Sequence, residues 1–126
     1  MSELEPQTYQ VTRADLVRYA EASGDHNPIH QDEDVAKSVG LPGVIAHGMY
    51  TMALAARAVA TWFPGAEVVS LGTKFTNPVV VPADWPVEVE VAGEASQGDD
   101  GTTTVKLTVT CAGEKVLGMP KAVVRA

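Results

Sequence analysis

A carboxylate and an imidazole stand five positions apart in the run Asp25-His26-Asn27-Pro28-Ile29-His30. Pro28 fixes its own φ and keeps Asn27 extended, so the segment reads as a loop able to fold both side chains toward one point. A carboxylate beside a neutral imidazole can hold one water, accept its proton and return a proton to a substrate. Asn27 can orient the loop or that water with its amide. A plainer reading stays open: a helix-capping Asp25 and a surface His30 in an ordinary turn, since an acid and a His at this spacing are common by chance.

A second candidate is Ile45-Ala46-His47-Gly48-Met49, at the start of a long apolar run. The first N–H groups of a helix have no partner within it and carry partial positive charge. Without a side chain at Gly48, a substrate carbonyl can approach that N–H closely, the geometry of an oxyanion hole. Alternatively, Gly48 serves only tight packing. His47 reads as a structural residue that bonds the neighbouring loop, with a proton carrier as the alternative.

Other chemistries find less support. His26 and His30 are four apart, but Pro28 between them prevents a shared helical face, and no HExxH or cysteine pair points to zinc. No metal or other cofactor is expected. Cys111, the single cysteine, allows neither an intrachain disulfide nor a thiolate cluster, and reads as an inert strand residue. Trp62, Phe75 and Trp85 read as core or interface residues. The run Asp32-Glu33-Asp34 reads as a solvated helix start.

The elements that must position these residues follow from pattern. Gln7 to Val11 alternates weakly, a short first strand. Thr12 and Asp15 form a capping-box variant ahead of a helix carrying Leu16, Val17, Tyr19 and Ala20, and Gly24 ends it. Asp32 or the residue after it caps a short helix through Ala36 and Val39, closed by Gly40 and Pro42. Gly48 to Phe63 carries one charge, Arg57, which predicts a helix buried all round. Strands are predicted at Glu67 to Thr76, Trp85 to Ala95, Thr102 to Cys111 and Lys115 to Val124, with hairpin turns at 97–101 and 112–114. The fold class is α+β, a curved antiparallel sheet wrapped around the long helix, the arrangement called hotdog.

At 126 residues the chain is read as one domain with a real core but little mass to enclose a long ligand alone. A long substrate would more easily be enclosed between subunits. The net charge of −7 and a pI near 4.8 oppose nucleic acid or anionic membranes as partners. No apolar run suggests a leader or a membrane span, so a cytoplasmic location is expected.

Taken together, Ser23-Gly24-Asp25-His26-Asn27-Pro28-Ile29-His30-Gln31-Asp32 and Ile45-Ala46-His47-Gly48-Met49 resemble the MaoC-like, (R)-specific hydratase family. Within it the chain is most similar to the B subunit of actinobacterial (3R)-hydroxyacyl-[acyl carrier protein] dehydratases. The resemblance runs from about Val11 to the C-terminus and implies a single MaoC-like hotdog domain over residues 1–126. It implies Asp25 and His30 as the catalytic pair, Asn27 as loop orienter and Gly48 as oxyanion donor. Pro28, Ile45, His47 and Met49 become candidate substrate-binding positions. The implied reaction exchanges water between trans-2-enoyl and (3R)-3-hydroxyacyl thioesters of fatty-acid metabolism, on CoA or acyl carrier protein. The implied assembly is a homodimer, or a heterodimer with a second hotdog subunit.

Two departures from the family pattern stand out. Leu41-Pro42-Gly43-Val44 replaces an aromatic and a Pro-Ile step, and the short N-terminus predicts a truncated edge strand. Two other functions compete. A non-catalytic acyl-binding hotdog subunit would be expected to lose the Asp/His pair, and a hotdog thioesterase lacks the Asn-Pro-x-His loop.

Overall fold

Thr12 switches the chain from strand to helix. Its side chain accepts from Asp15 N–H while the Asp15 carboxylate accepts from Thr12 N–H, which completes the capping box. The computed structural model describes residues 2–125. Helix α1 (Arg13–Ser23) buries Leu16 and Ala20 and stops at Gly24, whose φ of 79° suits the left-handed C-cap. Val17, on the predicted apolar face, is 43% exposed. After a single 3-10 turn at Pro28–His30, Asp32 caps α2 (Glu33–Ser38) by accepting from Asp34 and Val35 N–H.

The long helix α3 (Gly48–Trp62) packs Leu54, Ala55, Ala58 and Val59 into the core. Opposite them come alternate residues of the sheet, among them Val89, Val91, Val105, Leu107, Val109, Ala122 and Val124. The expectation of burial all round needs correcting. Met49, Ala53, Arg57 and Ala60 are exposed, because one sheet can cover only the side of a helix that faces it. Small Ala side chains carry no polar signal to mark that outer face.

The strands are β1 (Ser2–Val11), β2 (Glu67–Phe75), β3 (Val87–Gln97), β4 (Thr102–Cys111), β5 (Glu114–Lys115) and β6 (Leu117–Arg125). They form one sheet in the order β1-β3-β4-β6-β2, all pairs antiparallel, with β5 paired to β4. The chain thus folds as α+β with the hotdog arrangement.

Three strand boundaries depart from the pattern reading. The first strand begins earlier than the alternation from Gln7 suggests: β1 runs ten residues and pairs with β3 from Ser2↔Ala95 to Val11↔Val87. A register shift between Leu4 and Gln7 accommodates Pro6, which an edge strand tolerates. Trp85 lies before β3 and is 63% exposed, since Pro86 delays pairing until Val87. The predicted strand from Lys115 is split, because Val116 N–H bonds the Val109 carbonyl between the β5 pairing and β6. Among the described residues, no helix is long and apolar enough to cross a membrane.

Candidate active site

The loop between α1 and α2 is tied by its own side chains. Asp25 N–H donates to Ser23 Oγ, Asn27 N–H to Asp25 Oδ1, and Ile29 N–H to Asn27 Oδ1. Asn27 therefore caps the 3-10 turn, and Pro28 at its first position starts it. That turn carries His30 inward, where it is 7% exposed.

His30 Nδ1 lies 2.7 Å from the Ile45 carbonyl, a hydrogen bond that only an Nδ1–H donor can make. In the neutral ring the tautomer is thereby set, and Nε2 carries the lone pair. That Nε2 lies 4.0 Å from Asp25 Oδ2. The separation is too long for a direct hydrogen bond and short enough for one water to bridge.

His47, 2% exposed, stacks on His30 with ring centroids 3.8 Å apart and 23° between planes. Its Nε2–H donates to the Asp25 carbonyl at 3.0 Å, while its buried Nδ1 has no partner among the described residues. Tyr19 packs against the same ring at 4.8 Å. Asp25, His30 and His47 place possible ligand atoms within 4.8 Å of one another. Nearly parallel rings point their in-plane lone pairs side by side rather than at one centre, which suits proton transfer better than tetrahedral zinc.

These residues border a cavity of about 580 Å³, lined also by Ile45, Gly48, Met49, Phe75, Val79 and Leu117. Of the residues singled out by sequence, the fold brings Asp25, His30, Ile45, His47, Gly48 and Met49 to this cavity. Asn27 and Pro28 support the loop from outside, and neither lines it. Among the described residues no side chain caps α3, and the Gly48 and Met49 N–H groups fall in its first turn, where the helix itself offers no acceptor.

The reason for glycine at position 48 differs from the carbonyl-approach argument. A Cβ there would meet the Phe75 ring at 3.0 Å, so the space is occupied by an aromatic wall. Phe75, at the end of β2 and 56% exposed, is the site residue that pattern reading missed, since a lone aromatic at a strand end carries no mark of what it faces.

Glu33 is a second omission. Rather than lying in a solvated run, it accepts from Val44 N–H at 3.0 Å and from Arg13 at 3.2 Å, and Arg13 Nε also donates to the Val81 carbonyl. The Val44 hydrogen bond, with help from Arg13 and against some burial, holds the Glu33 carboxyl below the ordinary carboxylate range. This strut fixes the segment that leads into α3. Burial pushes the Cys111 thiol up, consistent with an inert residue.

Residues 2–112 match the family model described as MaoC like domain. The chain belongs to the MaoC-like domain family. It is 45% identical over 92 residues to the 3-hydroxyacyl-thioester dehydratase X of Mycobacterium tuberculosis, an alignment covering 73% of this chain and 30% of that protein. A solved MaoC-like dehydratase superposes with a TM-score of 0.92 at 38% identity, over 98% of this chain and 39% of the other. The R-hydratase PhaJ1 from Pseudomonas aeruginosa gives 0.86 at 28% identity, over 99% of this chain and 79% of that one. This MaoC-like chain spans well under two thirds of the length of the curated relatives it matches, 30%, 40% and 54% in three of them.

Proposed function

We propose that this MaoC-like chain is a hydro-lyase that interconverts trans-2-enoyl and (3R)-3-hydroxyacyl thioesters of fatty-acid metabolism. The observation that carries the reading is the pair of acceptors, His30 Nε2 and Asp25 Oδ2, 4.0 Å apart at the edge of an apolar cavity. A water seated between them donates one O–H to each, which leaves its oxygen lone pair free to attack C3. As the C3–O bond forms, one water proton passes to the pair, and the pair hands that proton on to C2 on the same face. The thioester oxygen gathers negative charge meanwhile, and the Gly48 N–H at the start of α3 stabilises it. Dehydration is the same path reversed, with the proton leaving C2 and hydroxide leaving C3 as water. Asp25 and His30 are the catalytic pair in this reading, and Asn27 holds the loop that carries them. Ile45, His47, Met49 and Phe75 form the pocket wall.

The relatives' names support a thioester substrate: one is a 3-hydroxybutyryl-CoA dehydratase and another a 3-hydroxyacyl-[acyl-carrier-protein] dehydratase. Among the chain's cations, Arg13 is bound to Glu33, Arg18 to Asp15, and Arg57 lies over Tyr9. Lys37 and Lys74 are candidates to meet carrier phosphates, although neither lines the cavity itself. The chain pairs with a second hotdog subunit, of its own kind or another, through the β2 edge. That strand ends the sheet order without a proline and exposes Val68 and Val69 at 44% and 45%.

Incubation with crotonyl-CoA tests the reading. Hydration removes the enoyl absorbance without releasing thiol, whereas thiol release indicates a thioesterase and no change a non-catalytic subunit. Asp25→Asn and His30→Ala should each lower turnover by at least ~100-fold. Near wild-type rates in both would overturn the proposal.

A further inference from the structure

Glu3, Glu94, Lys106 and Lys121 form one row across the outer face of the sheet. Glu3 pairs with Glu94, Glu94 with Lys106, and Lys106 with Lys121, and all four are exposed. Only the central pair attracts. Like charges directly opposite one another cost stability, so the outer two pairs are unfavourable as they stand. The row is acidic on one half and basic on the other.

The same four residues border a groove of about 690 Å³. Ala92 and Thr108, paired across β3 and β4, lie at its floor. Its walls are two irregularities on the same side of the row, one in β1 between Leu4 and Gln7 and one in β6 between Gly118 and Lys121. The second turns Met119 outward at a φ of 45°, 78% exposed, an apolar side chain in a strained conformation facing water.

We infer that this face docks a second copy of the chain, related by a two-fold axis parallel to the strands and midway between β3 and β4. That rotation lays Glu3 over the partner's Lys121 and Glu94 over the partner's Lys106, so both repulsive pairs gain opposite charges. It also lays Met119 over the partner's Pro6. Met119 is two residues from Lys121 and Pro6 three from Glu3, and the antiparallel course of β1 and β6 puts both on the same side of the row. The contact is isologous and self-complementary, as a two-fold interface requires. It is distinct from pairing at the β2 edge, which leaves the outer face open.

Sedimentation at low salt should give the wild type twice the mass of a Lys106→Glu/Lys121→Glu variant at the same concentration. Raising salt to about 1 M, where screening acts within about 3 Å, should bring the wild type down to the variant's mass. Mixing that variant with Glu3→Lys/Glu94→Lys should restore the doubled mass. Equal masses of wild type and variant at every concentration, or no recovery on mixing, overturn the proposal. So does a face that ignores its own copy but retains a different protein. Both variants should melt cooperatively and keep wild-type turnover, because the row lies across the sheet from His30. The mass readout therefore stands or falls separately from the catalytic reading.

Discussion

His47 lies flat against His30, 3.8 Å between ring centroids, while its Nε2–H holds the main-chain carbonyl of Asp25 at 3.0 Å. One buried ring thus fixes the orientation of the candidate base and the position of the carboxylate beside it. The two motifs, whose histidines His30 and His47 stand seventeen positions apart in the chain, meet through this side chain.

Replacing His47 should therefore act on both partners. His47→Phe keeps a stacking ring but loses the bond to Asp25, and should lower kcat by about 10-fold with a smaller change in KM. Loss of one buried hydrogen bond should cost about 1 kcal/mol of stability in denaturant melts. A variant that loses stability with kcat unchanged would make His47 purely structural.

Gly48 and Phe75 form a tight contact that a double-mutant cycle can expose. Gly48→Ala places a methyl where the Phe75 ring lies at 3.0 Å, and should destabilise by roughly 1–3 kcal/mol. Adding Phe75→Ala should return part of that loss, with non-additivity of at least about 0.5 kcal/mol. Strict additivity in urea melts would mean that the ring does not constrain position 48.

Glu33 makes a pH-dependent contribution whose sign follows from its lowered pKa. A carboxyl held down in the folded chain stabilises it fully above the unfolded value, and that contribution disappears as pH falls through the folded value. The stability gap between wild type and Glu33→Gln should be constant near neutral pH and close below the ordinary carboxylate value of 4.5. Melting both proteins from pH 7 down to pH 3 checks this, and a gap that widens on acidification would contradict it.

Local order was legible because short-range physics writes it directly. Thr12 and Asp15 are a capping box wherever they occur three apart before a helix, and Gly24 ends that helix because left-handed backbone favours glycine. The alternation in Val87-Glu88-Val89-Glu90-Val91 named a strand with one buried face. Pro6 disguised the start of β1, since only the place of β1 at the sheet edge makes a proline harmless there.

The sequence by itself determined the chemical types at the site and the α+β arrangement, because capping, turn chemistry and hydrophobic period are local. Only the tertiary structure decided what each side chain meets. The 4.0 Å between Asp25 and His30, the bond from His47 to the Asp25 carbonyl, and the Phe75 ring over Gly48 all join residues from different elements. Such distances depend on how the loop, α3 and β2 pack on one core, and no spacing along the chain encodes that.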